Sequence, residues 1–172
     1  MTDPHPSLPG PEQLLALLFD AAREGDEAAM GALLRAGAPV EGRDARGFTP
    51  LMLAAYNGHA GATALLLRAG AAVNGVGDMR GNPPLIGVAF KGYVDVARLL
   101  LEQGADANLA NGAGQTALMT AALFRQDAMI DLLREHGADP GIADAAGNTA
   151  AGLARAQGNE GLAARLEGGS HG

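Results

Sequence analysis

The 172-residue sequence contains no cysteine and no tryptophan, and its only lysine is Lys91. Without cysteine there is no disulfide framework, no thiolate nucleophile and no Cys-ligated metal. Aromatic residues make up 3% of the chain, two Tyr and four Phe, although 48% of it is apolar. The core must therefore come largely from Ala and Leu, which suits thin helices packed closely. Hydrophobic runs are short, and none approaches the ~18 residues a membrane-spanning helix needs. The opening MTDPHPSLPGPEQ has neither the basic nor the apolar region of a secretory signal, so the expected location is the cytoplasm. Basic charge is scarce as well. A net charge of −7, from 12 basic and 19 acidic residues, argues against general nucleic-acid affinity and favours solubility. The preference for Arg over Lys, with abundant Ala and Gly, accords with a GC-rich bacterial genome.

What the sequence does have is repetition. The stretch DARGFTPLMLAAYNGHAGATALLLRAG, Asp44 to Gly70, returns 34 residues on as DMRGNPPLIGVAFKGYVDVARLLLEQG, Asp78 to Gly104. It returns again 33 residues later as NGAGQTALMTAALFRQDAMIDLLREHG, Asn111 to Gly137. A period near 33 predicts stacked helical units, each too thin to stand alone. In the first of these, Thr49 caps a helix starting at Pro50, whose missing N–H would be unpaired there anyway. Leu51, Ala54 and Ala55 form its inward stripe, and Gly58 stops it. A second helix, about Ala60 to Ala69, presents Leu65 and Leu66 and stops at Gly70.

The later units vary the plan. The next has Pro83 in place of the capping Thr and one extra residue in its preceding loop, Asn74 to Arg80. The one after puts Arg125 where the others have a helix-stopping Gly, a change costing about 1 kcal/mol if that position needs positive φ. Ahead of the three units, Glu12 to Ala36 reads as a degenerate helix pair, with Gly25 and Gly37 as stops and Asp26 as an N-cap. Behind them, Asp144 to about Glu167 is an Ala- and Gly-rich cap. The predicted fold is all-α: a solenoid of three full repeats between degenerate N- and C-terminal capping units, with turns projecting between repeats. The repeat domain is expected over 13–167, a disordered Pro-rich tail over 1–12 and a disordered tail over 168–172.

These residues resemble ankyrin repeats. The family's D-x-x-G-x-T-P-L-H-x-A-A-x-x-G-H followed by L-L-x-x-G-A-x-x-N is nearly complete from Asp44 through Thr49, Pro50, Gly58 and His59 to Asn74. One departure recurs, since the His after T-P-L is replaced by Met52, Ile86 and Met119. The resemblance implies that repeat-to-repeat hydrogen bonding by that His gives way to apolar packing. It also implies a protein-binding, non-enzymatic module acting through its concave face. The strings GVAFKGYVDVARLLLEQGADAN and QTALMTAALFRQDAMIDLL further resemble small bacterial ankyrin proteins encoded beside catalase genes. That group is implicated in supporting or protecting the catalase against peroxide stress. The partner so implied is a haem catalase, with no haem or other cofactor on this chain.

No catalytic or metal constellation is evident. His5, His59, His136 and His171 lie far apart, and none sits four residues from another on a helix. Asp44, Asp78 and Asp144 share one repeat position, where a carboxylate suits a turn by accepting local backbone N–H groups. The Gly75-x-Gly77 pair lacks the spacing and the preceding strand of a phosphate loop. No small-molecule substrate is therefore expected.

The surface is more informative. By register with the family, the turn tips and the outward ends of the first helices line the concave groove. The candidate partner-binding residues are Arg43, Arg46, Phe48, Tyr56, Asn57, Met79, Arg80, Asn82, Phe90, Lys91, Gln115, Leu123 and Phe124. This set holds four of the six aromatics in the chain, four basic residues and no acidic one. Arg and aromatic residues are the types that dominate protein-binding energy. Tyr56, Phe90 and Leu123 share a repeat position and are expected to form a stripe. The alternatives are that the rings merely fill gaps between helices and that the cations are a solvated rim. Besides a catalase, the partner could be any protein that a generic adaptor, inhibitor or host-directed effector binds.

Overall fold

The computed structural model describes residues 7–169, which form ten helices and no strand. They pair as α1 (Pro11–Glu24) with α2 (Glu27–Arg35), α3 (Pro50–Tyr56) with α4 (Ala60–Arg68), and α5 (Pro84–Lys91) with α6 (Val94–Glu102). The last two pairs are α7 (Ala117–Leu123) with α8 (Asp127–Glu135) and α9 (Ala150–Ala156) with α10 (Glu160–Gly168). Each odd helix packs on the next odd one, and the even row touches itself less. The more closely packed row is the inner side of a curved stack, so the odd helices and the turns before them line the concave face. This is the expected solenoid.

Local chemistry sets the helix ends. The Oγ1 of Thr49, Thr116 and Thr149 accepts the N–H of Met52, Met119 and Gly152 at 3.2, 3.4 and 3.1 Å. The Asp26 carboxylate caps α2 by accepting from Ala29 N–H at 3.0 Å. Pro83 starts α5 without any side-chain cap. The bounds at the two termini need correction. Pro11 and Glu12, assigned to a tail, already belong to α1, because Pro11 takes the N1 position and Gln13 Oε1 accepts the Gly10 N–H at 3.2 Å. Likewise Gly168 ends α10. The rest of the expected tails falls on Ser7–Gly10, which have no regular structure, on Gly169, and on 1–6 and 170–172, outside the described residues.

The core is a column of Leu, Ala, Met and Ile side chains. Met52, Ile86 and Met119, standing where the family's His would be, are 1%, 5% and 2% exposed. Burial of such a side chain contributes about 1.5–3 kcal/mol, so the inner seam is apolar as expected. Hydrogen bonds between units come from the loops instead. Asn74 Oδ1 accepts Asp106 N–H at 2.8 Å while its amide donates to Gly104 O at 3.2 Å. Asn108 repeats both bonds on Asp139 N–H and Gly137 O, at 2.7 and 3.1 Å. Glu41 makes the first, accepting from Ala72 N–H at 2.7 Å. The equivalent residue of the fourth unit is Gly141, which has no side chain to make the bond; there Arg134 donates to Leu166 O and Gly169 O at 3.5 and 3.3 Å.

The glycine ending each inner helix has two duties. Gly58 and Gly92 have φ of +79° and +76°. A Cβ on Gly58 would also lie 3.1 Å from the Tyr93 ring, and one on Gly92 2.6 Å from Gln126 Oε1. Arg125 holds the same conformation, φ +55°, the only non-Gly residue to do so among the described residues. Asn159, the residue next in the stack, turns its side chain to cap α10 by accepting Leu162 N–H at 3.1 Å. Arg125 then donates to Gln157 O at 2.7 Å, tying the fourth unit to the fifth.

Candidate functional site

The turn tips are built by one repeated device. Asp44 Oδ1 accepts the N–H groups of Arg46 and Phe48, both at 2.9 Å. Asp78 does the same for Arg80 and Asn82 at 2.8 and 3.0 Å, and Asp144 for Ala146 and Asn148, both at 2.9 Å. Asn111 fills the role in the fourth unit, accepting from Ala113 and Gln115 at 3.0 Å each. These acidic residues are structural, as their spacing implied. The Asn148 backbone N–H, aided by its amide and by Ala146 and Gly147, holds the Asp144 carboxyl below its ordinary pKa against a smaller opposing effect of burial. Gly77 belongs to the same construction: its N–H donates to Asn82 O at 2.7 Å, and a Cβ on it would lie 2.9 Å from Met52 Sδ.

The extra residue before the third unit alters the tips locally. Backbone bonds join neighbouring tips at Gly112 N–H to Arg80 O, 3.3 Å, and Ala145 N–H to Ala113 O, 3.0 Å. The corresponding step from the second to the third unit has no such bond among the described residues. There Val76 is 48% exposed and Met79 80% exposed, with Met79 lying against Gly47.

Along the inner helices the aromatic residues do meet, but in a different order from the one expected. The Tyr56 and Phe90 rings are nearly parallel, 5° apart, with centres separated by 6.4 Å. Phe90 then meets Phe124 edge-to-face at 4.8 Å and 84°. Leu123, the expected third member of the stripe, is half-buried, and the ring one residue later takes its place. Phe124 is the C-cap of α7, at the register of Lys91, and from there its ring reaches across to Phe90. Gly87 makes room for the stack, since a Cβ there would lie 3.3 Å from Tyr56 Cδ2 and 2.7 Å from Met52 Cε. Phe90 and Phe124 remain 44% and 47% exposed. They are gap fillers in part, and they also present open ring surface.

The polar candidates divide. Asn82 donates to Asp78 Oδ2 at 2.7 Å and accepts from Asn111 at 2.9 Å, and Asn111 also donates to Gln115 Oε1 at 3.1 Å. Asn57 donates to Leu53 O at 2.7 Å, and Arg43 to Gly47 O at 2.9 Å. These four brace the turns and the helix end. Arg46 and Arg80 are exposed on the tips, with the Arg46 guanidinium 5.7 Å from the centre of the half-buried Phe48 ring. Lys91 holds its ammonium 5.1 Å from the Tyr56 ring centre and 5.8 Å from that of Tyr93. Tyr93 was absent from the candidate set. It occupies the position of His59, two residues after the lysine, and the turn between α5 and α6 sets its ring beside the ammonium. His59 itself uses Nε2 on Arg23 O at 2.8 Å, and His136 uses Nδ1 on Leu132 O at 3.0 Å. Both are structural. No group of three or more His, Asp or Glu among the described residues is arranged to hold a metal ion.

Charge is segregated along the stack. The four segments made of a turn and its inner helix, 43–57, 77–91, 111–125 and 144–157, carry six basic residues against three acidic, while the remainder carries six against sixteen. The three acidic ones are the turn carboxylates already described. Ion pairs among the described residues involve only Arg23, with Asp20 and Asp44, Arg155, with Glu160 and Glu167, and Arg165, with Asp127 and Asp131. All three arginines belong to the end units. Arg43, Arg46, Arg80 and Lys91 pair with no carboxylate among the described residues.

The sequence model of the family described as ankyrin repeats (3 copies) matches residues 18–111 and 88–166. No curated protein matches the chain.

Proposed function

The chain belongs to the ankyrin-repeat family, whose repeats are protein-interaction modules, and on that premise we propose that it is a non-enzymatic protein that grips a partner protein across its concave face. The supporting observation is the unbroken run of Tyr56, Phe90 and Phe124, two of them nearly half exposed, beside cations that lack carboxylate partners among the described residues. Exposed rings with adjacent Arg and Lys are the usual carriers of binding energy, whereas scattered apolar surface residues are not. Substitution of Phe90→Ala together with Arg80→Glu is expected to abolish partner capture while leaving the far-ultraviolet circular dichroism unchanged. Retention of the partner by that variant places the contact elsewhere, for instance on the even-numbered helices.

A haem catalase is the sharper candidate for the partner, one this chain would support or protect under peroxide stress while carrying no haem itself. Its support is the likeness of residues 87–108 and 115–133 to ankyrin proteins encoded beside catalase genes. Affinity capture from the native lysate of peroxide-stressed cells tests it directly. A captured protein with a Soret band supports the pairing, and its absence under peroxide sinks it. The alternative is an adaptor, inhibitor or host-directed effector that uses the same face on a different protein. No helix of the described residues is long and apolar enough to cross a membrane, and the cytoplasm is the proposed setting.

A further inference from the structure

We propose that the occupant of the concave face is an acidic segment of the partner that sets an apolar side chain against Phe90 and Phe124 and carboxylates on Lys91 and the Arg46–Arg80 pair. This rests on the concave-face reading above and adds the chemistry of what binds there.

Charge is the first ground. On a chain of net charge −7, the turns and inner helices are the one region where basic residues outnumber acidic ones, and the acidic ones present are occupied by turn N–H groups. The exposed Arg43, Arg46, Arg80 and Lys91 are also unneutralised among the described residues, whereas Arg23, Arg155 and Arg165 of the end units are paired. An ammonium lying over two ring faces gains about 0.5–1 kcal/mol at an exposed site. It keeps its charge and its outward hydrogen-bonding capacity, so Lys91 can accept a carboxylate without first breaking an ion pair.

Shape is the second ground. Phe90 and Phe124 meet at 84°, so together they present an angled notch and not a flat platform. A notch takes an aliphatic or aromatic side chain end-on. Flat bases need parallel ring faces and a continuous basic track. Here the rest of the chain carries six basic residues against sixteen acidic, which repels a polyanion longer than the patch. Spacing is the third ground. Lys91 ends the eight-residue α5, which is about 12 Å long, and Arg80 sits on the turn with three residues between it and that helix. An extended peptide covers the helix alone in about four residues. The segment should therefore carry two acidic positions at least about four residues apart, with its apolar anchor next to one of them.

Selection of a displayed random 12-residue peptide library on the wild-type protein, with counter-selection on the Phe90→Ala/Arg80→Glu variant, tests both levels. Circular dichroism of the variant first confirms its fold, which two exposed residues should not disturb. The expected winners carry Asp or Glu flanking a Leu, Ile, Met or Phe. A synthetic winner should lose about tenfold in affinity on Phe90→Ala alone and again on Lys91→Glu. Its binding should also weaken between 50 and 300 mM salt, over which the screening length shortens to less than 10 Å. Winners without acidic residues, or tighter binding of a twelve-residue oligothymidylate, overturn the acidic-segment proposal and leave the concave face standing. If no peptide distinguishes the wild type from the variant, the concave face itself fails.

Discussion

Arg125 allows the clearest separation of two effects at one position. Its φ of +55° puts a side-chain-bearing residue in the left-handed region, which costs about 1–2 kcal/mol relative to right-handed backbone. Against this, its guanidinium donates to Gln157 O at 2.7 Å across the junction of the fourth and fifth units. An exposed charged donor of that kind contributes about 1 kcal/mol. Arg125→Ala removes the bond and keeps the backbone strain, so it should destabilise by about 1 kcal/mol. Arg125→Gly removes the bond and relieves the strain, less the extra unfolded-chain entropy of about 0.4–1 kcal/mol that Gly brings. The Gly variant should thus lie within about 0.5 kcal/mol of the parent and nearly 1 kcal/mol above the Ala variant. Urea unfolding followed by ellipticity at 222 nm resolves this. With a slope of about 2 kcal/mol/M, the Ala and Gly midpoints should differ by roughly 0.3–0.5 M at unchanged slope. An Ala variant as stable as the Gly variant would refute the claim that the backbone at this position is strained.

Three further predictions concern the core, the turns and the aromatic stack. Met119→Ala empties a site that is 2% exposed and should cost about 2–5 kcal/mol, whereas Met119→Leu should cost less than about 1.5 kcal/mol, both read from denaturant midpoints. The carboxyl of Asp144 is held below its ordinary pKa by the Asn148 N–H and amide. Its stabilising effect is therefore complete above the unfolded pKa and is lost as pH falls through the lower folded one. Asp144→Asn copies the turn that Asn111 already makes, so it should remove that acid dependence of the last unit without unfolding it, as followed by amide exchange at Asn148 across acidic pH. Gly87→Val fills the space beneath Tyr56 and should disturb the Tyr56–Phe90 stack, visible as a changed near-ultraviolet signal, while Gly87→Ala should be absorbed by the flexible end of Met52.

Much of this was legible beforehand, and the reason differs from residue to residue. Thr49, Thr116 and Pro50 announce helix starts, and Gly58 and Gly92 helix ends, because capping and positive φ depend on one residue and its immediate neighbours. The turn role of Asp44 and Asp78 was readable for the same reason, since the groups they bind lie two and four positions away. The site was less legible. Register puts Asn82 and Gln115 among the binding residues, yet their side chains are consumed by Asp78 and Asn111. Register also puts Leu123 in the stripe position that the Phe124 ring occupies. Nothing in the repeat pattern singles out Tyr93 beside Lys91. Each of these turns on which way a side chain leans and which neighbour reaches it first, and register alone does not encode that.

The sequence by itself determined the all-helical stack, its 33-residue period, the apolar seam of Met52, Ile86 and Met119, and the unusual backbone at Arg125. All of these follow from local rules repeated at a fixed interval, so each unit restates them. Only the tertiary structure decided that the rings run Tyr56, Phe90, Phe124, that Lys91 lies beside two tyrosines, and that Arg46, Arg80 and Lys91 pair with no carboxylate among the described residues. Apart from the Lys91–Tyr93 contact, which spans two residues, the ring and ammonium contacts join residues about 34 positions apart, and they exist because the closer packing of the odd-numbered helices brings the variable positions of successive units side by side.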